Sequence, residues 1–361
     1  MSNVYNFNAG PAILPRAVLE QVQAELLDYH GRGMSIVEMS HRAKEYEAIN
    51  AEAESRLKAL LGVGEGYRVL FIQGGASSQF ALIPLNFLPA GKTADYLVTG
   101  TWSEKAYEEA KKVGGAHVAA TTAEGGFRRI PSAGEITLSD DSAYVHYTTN
   151  ETIHGVQFPS IPDVGGRRLV ADMSSDILSA PLDASKFSLI YAGAQKNLGP
   201  AGVTVVVVRE DWLEEAPKSL PTMFRYATFA KNDSLYNTPP VFAVYVLNLV
   251  LGWIADLGGL EAVRQRNAAK AQAVYDAIDS TGGFYRGHAE KAFRSPMNIA
   301  FRLPTPELEK EFLAASVAAG MVGLAGHRSV GGIRASLYNA MELEGAQALA
   351  ALMLDFADKH G

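Results

Sequence analysis

The sequence predicts an α/β protein built on an open sheet, with a smaller unit attached. Three observations carry that prediction. Short, largely β-branched runs bounded by Gly and Pro, at 169–171, 189–192 and 203–208, have the length and content of buried strands. The first run stops at Asp172, and the second passes through Gly193 to Lys196. Two lone charged side chains therefore stand just past strand ends, where open α/β sheets hold their ligands. Finally, composition shifts at Ser280-Thr281-Gly282-Gly283, beyond which a smaller unit begins.

Length and composition limit the remaining choices. A chain of 361 residues with 48% hydrophobic and 20% charged content has room for two domains and a large core. A net charge of −7 without a basic stripe argues against nucleic acid as a partner. Residues 1–10 show no basic-then-apolar secretory pattern. The longest apolar stretch, 241–254, contains Asn248 and is too short for a bilayer, so no membrane partner is expected. Zero cysteines exclude disulfides and thiolate metal sites; no metal site is expected, and the cytoplasm is the expected compartment.

In chain order, Asn6-Phe7-Asn8-Ala9-Gly10-Pro11-Ala12 reads as an irregular arm and Pro15 as the start of a helix. Leu19, Val22, Leu26 and Tyr29 give that helix one apolar face, and Gly31 and Gly33 end it. In S-H-R-A-K-E-Y, Ser40 reads as an N-cap, with His41 and Arg42 at the first turn. Two cations beside a helix N-terminus favour an anion, although locally they also read as a solvated basic pair. Residues 67–72 form a strand followed by Q-G-G-A-S-S-Q-F and an apolar helix, 80–88. Strand, glycine turn and small hydroxyl residues make a phosphate-binding pattern without the P-loop G-K-[ST] or the dinucleotide G-x-G-x-x-G. Residues 94–98 are the next strand, and Gly100-Thr101-Trp102-Ser103 leads into a helix. Residues 143–147 form another strand, ending in T-T-N-E-T-I-H-G with Thr152 past its end.

Ser234-Leu235-Tyr236-Asn237-Thr238 is a polar loop closed by Pro239 and Pro240, and helices over 241–254 and 260–278 follow. In the smaller unit, 297–301 and 332–337 are strands joined by a segment containing Gly326-His327-Arg328. A helix over 342–359 closes the chain, with Leu343, Ala346, Leu349, Met353 and Phe356 on one face. Arg334 interrupts an apolar strand. A half-buried arginine needs a carboxylate or phosphate, and none neighbours it in sequence.

Taken singly, Lys196 reads as a loop lysine and Asp172 as a helix cap. Together they meet one chemical demand. Pyridoxal phosphate needs a lysine to hold its C4′ and a carboxylate to keep its ring nitrogen protonated.

The ordered set F-N-A-G-P-A, S-H-R, Q-G-G-A-S-S-Q-F, the Trp102 turn, N-E-T-I-H-G, A-D-M-S-S-D-I-L, Y-A-G-A-Q-K-N-L-G-P-A-G, N-T-P-P, G-H-R and G-G-I-R-A-S-L-Y-N-A resembles the phosphoserine aminotransferases along the whole chain. These are fold-type I pyridoxal phosphate enzymes. The resemblance implies a large, mostly parallel sheet domain with helices on both faces, 16–257. It also implies a smaller α+β domain from 1–15 and 258–361.

Lys196 would carry the cofactor and Asp172 would pair with its ring nitrogen. Trp102 would stack on the ring, and Thr152 would lie near the ring hydroxyl. Ala76, Ser77 and Gln195 would hold the cofactor phosphate. Asn237 and Thr238 would reach the phosphate of a second subunit, giving a homodimer with shared active sites. Arg334 would take the substrate α-carboxylate, while His41, Arg42, His327 and Arg328 would surround the distal phosphate or the glutamate side chain. Some relatives carry an arginine where this chain has Ser77, so that charge is missing from the glycine turn. The implied reaction moves an amino group between glutamate and 3-phosphohydroxypyruvate in serine biosynthesis, with 4-phosphohydroxythreonine as a further candidate in pyridoxine biosynthesis.

Two alternatives stay open at this level. Another aminotransferase of the same fold, acting for instance on alanine and glyoxylate, would keep Lys196 and Asp172 but have less use for the cations at 41–42 and 327–328. A cofactor-free anion binder would use the glycine turn and the arginines alone. A cysteine desulfurase is excluded, because the chain has no cysteine.

Overall fold

The structure is a computed structural model and describes residues 4–361. Its central sheet has seven strands, in the spatial order Tyr67–Gly74, Gly202–Arg209, Leu189–Gly193, Leu169–Asp172, Ser142–Thr148, Thr93–Val98, Gly115–Thr121. Gly202–Arg209 runs antiparallel to both neighbours, and the other pairings are parallel. Strands buried on both faces need no polar alternation, which is why Val203–Val208 can be almost continuously β-branched.

The period-2 geometry of a strand sorts these side chains into two cores. Val205, Val207, Leu169, Ala171 and Ile190 face helices Lys44–Leu61 and Val241–Asp256. Val206, Val208, Val170, Leu189 and Tyr191 face helices Ala76–Phe87 and Thr101–Ala110. A third core lies in the smaller unit. It is built on the antiparallel strands Arg286–Gly287, Asn298–Arg302 and Ile333–Ser336, with helices Gly259–Ser280, Pro306–Ala318 and Leu343–His360. The chain's first strand, Tyr5–Asn6, joins this unit by pairing in parallel with Met321–Val322.

Several expectations are corrected. The first helix is Arg16–Glu25 and does not reach Tyr29, which belongs to a separate short turn where His30 has φ 51°. Its buried residue is Val18, and Val22 and Tyr29 pack against the same core, whereas Leu19 and Leu26 are 45% and 39% exposed, so only part of the predicted apolar stripe meets this chain's own core. Ser40 is not a helix cap. Its Oγ accepts from the Arg42 N–H in a turn, and the helix starts at Lys44 after Ala43. The helix after the glycine turn starts at Ala76 instead of residue 80, which puts the small residues in its first turn. In the last helix Leu343 is 36% exposed, and the buried face starts at Gly345. Strand Gly115–Thr121 and helix Pro306–Ala318 were not anticipated. The second has a legible start, because Thr305 Oγ1 accepts from the Leu308 N–H and Pro306 opens the first turn. No single helix among the described residues is long and apolar enough to cross a membrane.

Candidate active site

A cavity of about 340 Å³ opens at the carboxyl ends of the parallel strands, closed on one side by the smaller unit and the Ala9-Gly10 arm. Lys196 reaches into it from the turn after Leu189–Gly193. That turn is held by backbone bonds from Ala194 N to Val203 O and from Gly199 N to Ala194 O. The Lys196 Nζ donates to Thr152 Oγ1 at 2.7 Å. Burial pushes this amine down to about 8, with Arg334 acting in the same direction and Asp172, Glu151 and Asp176 opposing. A loop lysine in water would show none of this.

Asp172 ends its strand opposite Thr148 and Tyr191. Its Oδ1 accepts from the Ser174 N–H at 2.9 Å. Burial raises its pKa, while Ser174, Lys196 and Tyr191 pull it back. The carboxylate is thus desolvated and still held towards its ionised form by surrounding donors and a cation.

Trp102 stands in the first turn of Thr101–Ala110, its ring centroid 5.8 Å from Lys196 Nζ. Glu151 fixes that turn. Its Oε1 accepts from Ser103 N at 2.9 Å and Ser103 Oγ at 2.6 Å, and its Oε2 accepts from Trp102 N at 3.1 Å. Gly100 makes this approach possible, because a Cβ there would lie 2.4 Å from the Glu151 carboxyl carbon. Burial raises the Glu151 pKa, and these donors lower it. Sequence reasoning passed over Glu151. Its only signal was an acid next to Thr152 at a strand end.

The glycine turn ends the strand Tyr67–Gly74 with Gly74 at φ 106°, a conformation natural to glycine. Helix Ala76–Phe87 follows with no side-chain cap, so its first N–H groups and dipole face the cavity beside Ala76 and Ser77. Gln195, Arg334 and His327 also line the cavity. Arg334 Nε is buried with no partner among the described residues, and burial lowers the pKa of its guanidinium. His327 Nδ1 lies 2.7 Å from Ser329 Oγ. Burial lowers the His327 pKa, with Arg334 and Arg328 adding to the effect.

One chain thus gathers Ala76, Ser77, Trp102, Thr152, Asp172, Gln195, Lys196, His327 and Arg334 around one cavity. His41, Arg42, Arg328, Asn237 and Thr238 are not among its lining residues. His41 is half-buried with Nε2 unpartnered, and the other four are exposed.

These residues fit pyridoxal phosphate. Lys196 supplies an amine with a depressed pKa, and Asp172 a buried carboxylate for a ring nitrogen. Trp102 offers an aromatic face whose Nε1 has no partner, the uncapped helix N-terminus a phosphate seat, and Arg334 an unpaired cation for a carboxylate.

Comparison with known proteins agrees. The family model described as aminotransferase class-V matches residues 4–349. A phosphoserine aminotransferase of Herpetosiphon aurantiacus is 62% identical over 358 residues, covering 99% of each chain. The solved phosphoserine aminotransferase from Bacillus circulans subsp. alkalophilus superposes with a TM-score of 0.98 at 58% identity, covering 100% of each chain. The pyridoxal phosphate-bound enzyme from Trichomonas vaginalis gives 0.93 at 40% identity, covering 97% of this chain and 99% of its own.

Proposed function

This chain belongs to the class-V aminotransferases, and on that premise we propose that it transfers the amino group of glutamate to 3-phosphohydroxypyruvate, giving O-phosphoserine and 2-oxoglutarate. It is a pyridoxal phosphate-dependent phosphoserine aminotransferase of serine biosynthesis. The observation that carries the residue assignment is the convergence of Lys196, Asp172 and the unpaired Arg334 on one cavity.

When bound, the cofactor supplies an electron sink for the pair left on the substrate Cα. The chain's own groups do the rest. Asp172 accepts the hydrogen bond of the protonated ring nitrogen. Thr152 would stand by the ring hydroxyl, and Trp102 would cover one ring face and exclude water from it. The N–H groups of Ala76 and Ser77, with Gln195, hold the phosphate; Ser77 adds no charge of its own. Lys196, whose pKa of about 8 leaves part of it unprotonated near neutrality, would hold the cofactor, leave when the substrate amine displaces it, and then serve as acid and base. The freed Nζ, beside the Thr152 hydroxyl, would take and hold the proton removed from the substrate Cα. Arg334 holds the α-carboxylate common to every substrate. His41, Arg42, His327 and Arg328 take the distal phosphate or the glutamate side-chain carboxylate.

The reading includes a homodimer, with Asn237 and Thr238 reaching a second subunit's phosphate. Both are exposed and lie outside their own cavity. Leu19, Leu26, Leu27, Met34, Val37 and Tyr236 expose the apolar surface that an interface would cover. Residues 16–257 are taken as the large domain and 1–15 with 258–361 as the small one, with three hydrophobic cores dividing along similar lines. A cysteine-free chain suits the cytoplasm.

The purified protein should show a visible absorbance band that borohydride bleaches, fixing the cofactor's mass on the peptide that carries Lys196. Glutamate with 3-phosphohydroxypyruvate should turn over far better than alanine with glyoxylate. Absence of the band, or comparable kcat/KM for the two pairs, would overturn the reading.

A further inference from the structure

Behind Asp172, on the sheet face packed by helices Ala76–Phe87 and Thr101–Ala110, the core is largely apolar and aromatic, with Gln79 and Asn86 buried on the first helix and His146 and Tyr191 on the strands at 1% and 0% exposure. Tyr191 is the register partner of Asp172 on the adjacent strand, so the two side chains share a face. The Tyr191 hydroxyl sits on the Asp172 side of this core and helps draw that acid's pKa down, and its hydrogen bond is to His146, whose Nε2 lies 3.0 Å away. His146 is wedged between Tyr96 and Tyr191, with ring centroids 4.9 and 5.9 Å away, and its Nδ1 has no partner among the described residues.

These contacts set the direction of the protons. Burial pushes the His146 pKa down to about 3, so its ring is neutral and carries one N–H. Placing that proton on Nδ1 would bury a donor without an acceptor. It would also make Nε2 an acceptor, drawing the Tyr191 proton away from Asp172. Placing it on Nε2 leaves only an acceptor unsatisfied and turns the phenol proton towards the carboxylate. Lys196, Glu151 and Asp176 are the other charged groups facing Asp172, and Tyr96 and Tyr226 face Tyr191.

We propose that His146 and Tyr191 are positioning residues forming a directed chain, His146 Nε2–H to Tyr191 O–H to Asp172, that holds the carboxylate oriented for the cofactor's ring nitrogen. The inference rests on the cofactor assignment above and adds two residues to it. Neither touches substrate or cofactor, and neither carries a motif signal.

The test uses the full-length chain, resolved of cofactor and reloaded either with pyridoxal phosphate or with its analogue bearing carbon in place of the ring nitrogen. Tyr191→Phe should weaken pyridoxal phosphate binding roughly tenfold, the effect of one hydrogen bond to a charged group. Analogue binding should be unchanged, because no ring nitrogen is there to be served. His146→Gln, which keeps a donor near Nε2, should stay close to the parent, and His146→Leu should move towards Tyr191→Phe. Equal losses for both cofactors would reduce the pair to core packing and overturn the proposal, as would no loss for either. A parent chain that bound neither cofactor would instead overturn the functional reading, and the relay with it.

Discussion

Two lysines in this chain have similarly depressed pKa values and opposite surroundings. Lys196 is pushed to about 8 and Lys270 to about 7, both chiefly by burial. Lys196 lines a cavity, makes one hydrogen bond, to a hydroxyl, and faces the carboxylates of Asp172, Glu151 and Asp176. Lys270 is 1% exposed and is consumed by carbonyls. Its Nζ donates to Leu337 O and Tyr338 O at 2.8 Å each and to Asn339 O at 3.5 Å. A depressed pKa therefore does not by itself mark a reacting amine. Spare donor capacity and access to a cavity separate the two.

The largest effect should come from removing each lysine in turn. Lys196→Ala should lower kcat by roughly 10²–10⁴-fold, the range expected for losing a positioned acid–base group, with little change in melting temperature. Lys270→Met should do the reverse. It strands carbonyls at about 1–3 kcal/mol each and lowers the melting temperature, while turnover near the midpoint of the stable range stays within a few-fold of the parent. Steady-state assays and thermal melts on both variants would break the comparison if the two profiles matched.

How far this contrast was legible in the sequence depended on the residue. Lys196 and Asp172 stood out because each ended a β-branched run, a pattern set by local chain chemistry. Lys270 looked like any polar position on a helix, because its acceptors lie 67 to 69 residues away. Glu151 escaped for the same reason, its partners Trp102 and Ser103 being 49 and 48 residues distant. Strand Gly115–Thr121 reads G-A-H-V-A-A-T, too poor in β-branched residues to declare itself. The Leu19–Leu26 stripe misled differently, since helical periodicity shows that a face is apolar without showing what covers it.

Arg334 sharpens the contrast from the ligand side. Its Nε is buried and unpartnered, so, unlike Lys270, it has spare donors for a substrate. Arg334→Ala should cost about 2–5 kcal/mol in kcat/KM, the range for truncating one partner of a buried charge pair, and should do so alike for glutamate, 3-phosphohydroxypyruvate and short unphosphorylated keto acids. Arg328→Ala should penalise the phosphorylated substrate more. Equal losses across both substrate classes for Arg328→Ala, or selective losses for Arg334→Ala, would contradict this division of roles.

The smallest effect is a dependence on pH that belongs to Lys270 alone. Arg266 helps burial to lower its pKa from the ordinary 10.5 to about 7, and Glu342, which pairs with Arg266 at 2.8 Å, opposes. In the folded chain the amine gives up its proton near pH 7, whereas in the unfolded chain it does so near 10.5. Between those values the unfolded state binds more protons, so raising the pH favours the folded state. Below pH 7 both states are protonated and the contribution is flat. Urea denaturation of the parent and of Lys270→Met at matched pH values isolates this group, because the other titrating residues cancel in the difference. From pH 7 to 10 the parent should gain on the variant by up to about 1.4 kcal/mol per pH unit. A flat difference over that interval would mean that the three carbonyls keep Lys270 charged, and that their dipoles outweigh its burial.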